Sequence, residues 1–232
     1  MALHHFTPDH YHTAIGPHTP VLHVAPGDSV STSTVDARGQ DPSGQQVTEP
    51  GNPMTGPFYV EGAQPGDALA VTFDRMWPNR RTGWTRAVVA PHVMDPGYAP
   101  GVETGEELEE WAIDLEGGTV ELVRPQTRLA GVCWPLRPML GCFGVAPPRG
   151  QTISTATSST HGGNMDYRGF CQGVTVYLPV FVEGAYFHLG DGHAVQGDGE
   201  IVGTGVETSF DVTFTVRVQT GQQIGWPSPR WK

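Results

Sequence analysis

Two short stretches concentrate the side chains that could do chemistry. Residues 190–200, Gly-Asp-Gly-His-Ala-Val-Gln-Gly-Asp-Gly-Glu, pack three carboxylates, one imidazole and four glycines into eleven positions. Glycine lets the backbone bend sharply and approach a ligand closely. Carboxylates this dense repel one another unless positive charge sits between them. A divalent cation is the usual answer, and Asp, Glu and His are ligands that hard-to-borderline cations accept. On extended chain Asp191 and His193 share one face, as do Asp198 and Glu200. The first pair is expected to ligate an ion, the second to orient ligands or move protons. The spacing is neither that of an EF-hand nor that of a helical H-E-x-x-H site. A surface Gly/Asp turn is the plain alternative, but His193 and the apolar flanks favour a site.

The second stretch is His161-Gly162-Gly163-Asn164-Met165-Asp166. Asn164 offers an amide donor for a carbonyl oxygen or an oxyanion, or else a left-handed turn residue. Asp36 closes a β-branched run and either swings into the same site or makes an Asx turn. Six of the ten histidines, His4, His5, His10, His12, His18 and His23, crowd the first 23 residues. They read as a solvated polar edge or, more sharply, with His10 or His12 at the mouth of a site.

Composition narrows the function classes. A formal charge of −11 repels phosphate backbones, so nucleic acid is a poor partner. No apolar run reaches the roughly 18 residues of a spanning helix, and residues 1–6 show neither a basic n-region nor an apolar h-region of a signal peptide. Cys133, Cys142 and Cys171 lack C-x-x-C spacing and read as free thiols in a reducing cytoplasm; a nucleophilic or ligating Cys is the alternative. The single lysine is Lys232, the last residue. Lysine-dependent amide chemistry and Schiff-base chemistry are therefore disfavoured.

The elements that must hold these residues read as short strands. Gly and Pro number 31 and 21 of 232 residues, so turns recur and long helices are disfavoured. Strands are expected over residues 29–35, 58–60, 68–73 and within 201–218. A hairpin is expected over 111–115 and 119–123, and another over 174–182 returning through 185–191. Residues 105–111 suit one helical turn, 41–57 a long functional loop, and 135–148 a buried extended crossing. Val60-Glu61-Gly62-Ala63 is echoed by Val182-Glu183-Gly184-Ala185, and Pro26-Gly27-Asp28 by Pro65-Gly66-Asp67. The fold class is mainly β, with barrel- or sandwich-like, jelly-roll-like lobes and little helix. The chain forms one domain, 1–232, divisible into intimately packed lobes at about 1–130 and 131–232.

Several stretches, taken in order, resemble the acetamidase/formamidase family. They are residues 35–40 (VDARGQ), 51–63 (GNPMTGPFYVEGA), 138–147 (PMLGCFGVAP), 161–166 (HGGNMD), 178–180 (LPV) and 190–200 (GDGHAVQGDGE). The resemblance covers residues 20–215. It implies a mainly-β fold, a homodimer or higher even homo-oligomer, hydrolysis of short amides to carboxylate and ammonia, and a bound divalent metal, zinc foremost and calcium as the alternative. It places metal ligands among Asp36, His161, Asp166, Asp191 and His193; the residues themselves suggest catalytic roles for Glu200, Asn164 and Asp198. Glu200 is the expected general base and then acid, working on a water acidified by the metal. The chain departs from the family pattern in a reduced middle, a short stretch after Gly150 and a short C-terminus, all of which would reshape the substrate pocket. Hydrolysis of a cyclic amide or imide, or a non-catalytic β protein with a structural calcium site, are the competing readings.

Overall fold

Side chains on a strand alternate between two faces, so a half-buried strand declares which of its residues face the core. In β4 (Ser29–Ser33) Ser29, Ser31 and Ser33 are half-buried while Val30 and Thr32, on the other face, are buried. Strands buried on both faces lose that alternation. β11 (Met139–Gly144), inside the expected crossing segment, and β16 (Phe187–His193) are buried at every position. The computed structural model describes residues 1–86, 107–124 and 130–230.

Two large sheets organise the chain. One has six strands in the order β1 (Leu3–His5), β4, β18 (Phe210–Gln219), β6 (Ala68–Pro78), β15 (Thr175–Pro179) and β19 (Ser228–Arg230). Its spine is the antiparallel β6–β18 ladder, running from Phe210 opposite Pro78 to Gln219 opposite Ala68 with a bulge between Thr213 and Phe214. The other has eleven strands. Its main path is β10 (Cys133–Pro135), β9 (Thr119–Leu122), β8 (Leu108–Asp114), β7 (Thr82–Arg86), β17 (Glu207–Thr208), β16, β11, β14 (Gly162–Asn164) and β13 (Ser158–Ser159). β5 (Thr55–Val60) joins it through β16, and β3 (Leu22–Val24) pairs with β5. A small ladder of β2 (Ala14–Ile15) and β12 (Ile153–Ser154) completes the set.

One apolar cluster takes residues from both large sheets, among them Leu69, Phe73 and Phe214 from the first and Phe58, Phe143 and Phe187 from the second. This is sandwich packing. Phe58, Phe187 and Phe214 meet in edge-on pairs with ring centroids 5.2 Å apart. A second cluster of Trp111, Ile113, Val120, Ala194 and Val206 lies under the β8–β9 hairpin. Strands from both halves of the chain interleave in each large sheet.

The mainly-β reading holds, without a closed barrel and, among the described residues, without an α-helix. The β8–β9 hairpin forms as expected. The helical turn over 105–111 does not: Leu108 to Trp111 are the start of β8, and residues 105–106 lie outside the described set. The second expected hairpin is also corrected. β15 and β16 join different sheets, because Ala185 and Tyr186 both take left-handed φ, 56° and 55°, and turn the chain out of register. The echoed turns meet each other: Val60 N donates to Gly184 O and Gly184 N to Ala63 O, both at 2.9 Å. Among the described residues no helix is long and apolar enough to cross a membrane.

Candidate active site

β16 carries Asp191 and His193, two of the candidate site's residues. Its end is paired on one side with β11, Met139 opposite His193, and on the other with β17, His193 opposite Glu207. Asp191 and His193 both line a cavity of about 890 Å³. Asp191 holds φ +59°, a conformation that costs a non-glycine residue energy and is retained where the surroundings enforce it. Gly141 lies beneath. A Cβ there would sit 2.6 Å from Asp191 Oδ2 and would also strike Asp166, so only glycine leaves the carboxylates room to converge. Gly205 does the same for the His193 ring, 2.7 Å from its would-be Cβ.

Four carboxylates surround one imidazole. Asp166, Asp191 and His193 place their ligand atoms within 4.8 Å of one another, and so do His193, Glu200 and Glu207. His193 Nε2 is 3.0 Å from Glu207 Oε1 and 3.4 Å from Asp191 Oδ1, and Nδ1 is 3.7 Å from Glu200. Gln196 sets the ring. Its Nε2 donates to Asp166 O at 2.5 Å, so its Oε1 faces His193 Nδ1 at 2.7 Å and accepts the proton there. Nε2, aimed at the carboxylates, is then the nitrogen available to a proton or a cation. Asn164 Nδ2 donates to Asp166 Oδ2 at 2.9 Å. Asn52 Nδ2 spans Asn164 Oδ1 at 2.9 Å and Asp191 Oδ2 at 3.3 Å.

The electrostatics follow from burial. Glu200 is pushed up to about 8 by burial, with Asp166 and Glu207 adding to the rise and His193 opposing it. Burial likewise raises Glu207 to about 7 and Asp166 to about 6. His193 pays a burial penalty, yet Glu207 and Asp191 hold its pKa well above the ordinary value. Acid–base groups set near neutrality are suited to shuttling protons. A divalent cation fits this donor set. Asp166 Oδ1 and Glu207 Oε2 are buried without a hydrogen-bond partner, and buried polar atoms are rarely left so.

The structure brings together Asp166, Asp191, His193, Glu200 and, through Asp166, Asn164. Three other expected residues stand apart. Asp36 is fully buried, but both its oxygens are taken. Oδ1 accepts from the Arg38 and Gln40 amides, the Asx turn of the plainer reading, and Oδ2 from Arg80 Nη2 at 2.8 Å and Trp84 Nε1 at 2.9 Å. It braces the cavity wall, which includes Arg38 and Trp84. Asp198 points outward and pairs with Arg168 at the surface. The residues 198–200 form a 3₁₀ turn with Gly199 at φ 75°, so the shared face of Asp198 and Glu200 does not exist. His161 is buried with both ring nitrogens unpartnered and does not line the cavity. Sequence reasoning missed Glu207, Asn52 and Gln196 as site residues. Glu207 had a signal: a lone acid in the run Val206-Glu207-Thr208-Ser209-Phe210. The three cysteines are free. Cys142 is held as a neutral thiol by burial and by Asp191 and Asp166, which argues against a nucleophile.

The Acetamidase/Formamidase family profile matches residues 5–155 and 149–231. The chain belongs to the acetamidase/formamidase family. Among solved members, the acetamidase of Yersinia enterocolitica superposes with a TM-score of 0.82 at 31% identity, over 98% of this chain and 71% of that one. The acetamidase of Bacillus halodurans gives 0.79 at 30% identity, over 98% and 74%. The acetamidase of Mycolicibacterium smegmatis is 27% identical over 202 residues, 64% of this chain and 48% of the relative. This family member spans about half the length of the curated relatives it matches.

Proposed function

We propose that this chain hydrolyses small linear amides of the formamide and acetamide kind to carboxylate and ammonia, with a divalent cation at Asp166, Asp191 and His193. One observation carries the reading: four carboxylates, Asp191 and Glu207 buried and Asp166 and Glu200 half-buried, converge on a single oriented imidazole in the wall of a cavity. A nitrogen donor among oxygens favours zinc over calcium and disfavours a purely structural calcium site. When bound, the cation supplies Lewis acidity toward an amide oxygen and a water. The chain's own groups do the rest. Glu200 takes a proton from the attacking water and passes it to the departing nitrogen. Asn164 keeps one amide hydrogen beyond its bond to Asp166 and offers it to the developing oxyanion. Gln196 holds His193 in one tautomer. Glu207, 3.0 Å from His193 Nε2, adds a further negative charge beside the cation.

The cavity exceeds what acetamide fills, so a cyclic amide is the competing substrate. Free thiols suit a cytoplasmic setting, and the assembly inferred from family resemblance is a homodimer or higher even oligomer. The test is ammonia release from formamide, acetamide and a lactam, before and after chelation, with zinc or calcium returned. Loss on chelation and recovery with zinc on a linear amide is the expected result. Ammonia from none of them, or activity indifferent to chelation, would refute the reading.

A further inference from the structure

The wall of the cavity carries both signs of charge. Its four carboxylates gather at His193. Its cations are Arg38 and Arg86, both exposed. Formamide and acetamide are neutral and give neither arginine an anion to bind. Among the described residues neither guanidinium is paired with a carboxylate. Arg38 Cζ lies 5.7 Å from the centroid of the Trp84 ring. A guanidinium over an indole is attracted by the ring face, and its N–H donors remain free for a ligand.

Asp36 builds this end of the cavity. Its fully buried carboxylate accepts from the Arg38 backbone amide at Oδ1 and from Trp84 Nε1 at Oδ2, both at 2.9 Å. One group therefore fixes the chain that carries Arg38 and the indole that faces its side chain. The Arg86 backbone is clamped separately. Its N donates to Thr204 Oγ1 at 3.0 Å, and that hydroxyl donates to Arg86 O at 3.2 Å. Register sets the separation from the acidic end. His193 lies opposite Glu207 and Glu207 opposite Trp84, so the three form one row across β16, β17 and β7. Two strand spacings place the Trp84 Cα about 10 Å from that of His193. Arg86 stands two residues along β7 from Trp84, a further step of about 7 Å on the same face.

We propose that the preferred substrates are linear primary amides with a carboxylate at the far end, the monoamides of short dicarboxylic acids. The amide enters at His193, and the carboxylate is held by Arg38 and Arg86. The inference rests on the amidase reading and narrows its substrate class. Each turnover consumes one water and releases the dicarboxylate and ammonia. Guanidinium recognises carboxylate through parallel hydrogen bonds, while the four carboxylates at the other end repel it. The charge pattern therefore admits such a molecule in one orientation, amide first, and the molecule spans a cavity that acetamide leaves mostly empty.

The test compares glutaramate with glutaramide, its neutral counterpart of equal length. The expected result is a higher kcat/KM for glutaramate. Arg38→Gln and Arg86→Gln, both at exposed positions, should each cut that preference by roughly 10-fold, through KM rather than kcat. Calorimetry of glutaramate on Glu200→Gln protein reads the same contacts without turnover, and its affinity should fall by the same order in each arginine variant. Equal kcat/KM for the two amides, or a preference that survives both substitutions, would overturn the inference and leave the amidase reading standing. Ammonia from no amide at all refutes the amidase reading instead. Calorimetry then decides the subsite alone: glutaramate binding that weakens without Arg38 or Arg86 upholds it, and no binding, or binding that both variants keep, overturns it.

Discussion

His188 and His193 lie five residues apart on one strand, both fully buried, and their surroundings drive them in opposite directions. Carboxylates face His193 and hold it protonated well above its ordinary pKa. Burial, reinforced by the imidazoles that face it, holds His188 neutral down to about pH 3. Burial alone disfavours the charged form of both; what differs is the sign of the neighbours. The difference teaches why one cluster is equipped to move protons while the other stays uncharged. It also separates residues that touch the chemistry from residues that frame it. Asp36 is as buried as Asp191, but its oxygens are saturated by Arg80, Trp84 and two amides.

That separation can be broken by substitution. The largest effect on stability is expected from Asp36→Ala, which strands the Arg80 guanidinium in a site only 6% exposed. Removing one partner of a buried pair costs about 3–5 kcal/mol. Urea unfolding should show that loss, while metal content per folded molecule stays at the wild-type value; loss of metal without loss of stability would return Asp36 to the ligand set. Next comes Gln196→Ala, which frees the His193 ring. Substitution of groups behind metal ligands typically costs about 10–100-fold in affinity or activity, so metal dissociation measured with a competing chelator should rise by that order.

The smallest effect is in pH dependence, and it distinguishes the two clusters by sign. In metal-free protein His188 and His12 have folded pKa values of about 3 and 4, below the unfolded value of about 6.5. The unfolded chain then binds more protons, so their contribution to stability is full above pH 6.5 and is lost as pH falls toward 4. Glu200, Glu207 and Asp166 are raised to about 8, 7 and 6. Their contribution is full below their unfolded values near 4 and is lost as pH rises through 6 to 8. His188→Gln should flatten the acid side of the stability profile and leave the alkaline side unchanged. A profile altered equally on both sides would mean that the clusters are one coupled unit.

Much of this was legible in residue order. Turn-rich composition foretold short strands, and period-two spacing placed Asp191 and His193 together. The density of carboxylates in 190–200 pointed to a segment of which Asp191, His193 and Glu200 line the cavity. What failed was local geometry that spacing cannot carry. Gly199 turns Asp198 away from Glu200, and the left-handed pair Ala185 and Tyr186 sends β16 into the other sheet. Glu207 reaches the site only because β17 pairs with β16 across a loop, and Asn52 arrives from a segment more than a hundred residues away. The histidines of the N-terminal segment were visible as a group. Their partners in the fold, His161 and His188, were not, since only pairing of β11 with both β14 and β16 brings those strands side by side.

The most direct test of the acidic site is formamide turnover by Glu200→Gln at matched metal content. Glu200 is expected to act as the proton shuttle, so metal should remain bound while kcat falls by about 10²–10⁴-fold. Wild-type turnover in the metal-loaded variant would contradict that role and with it the proposed chemistry of the cluster.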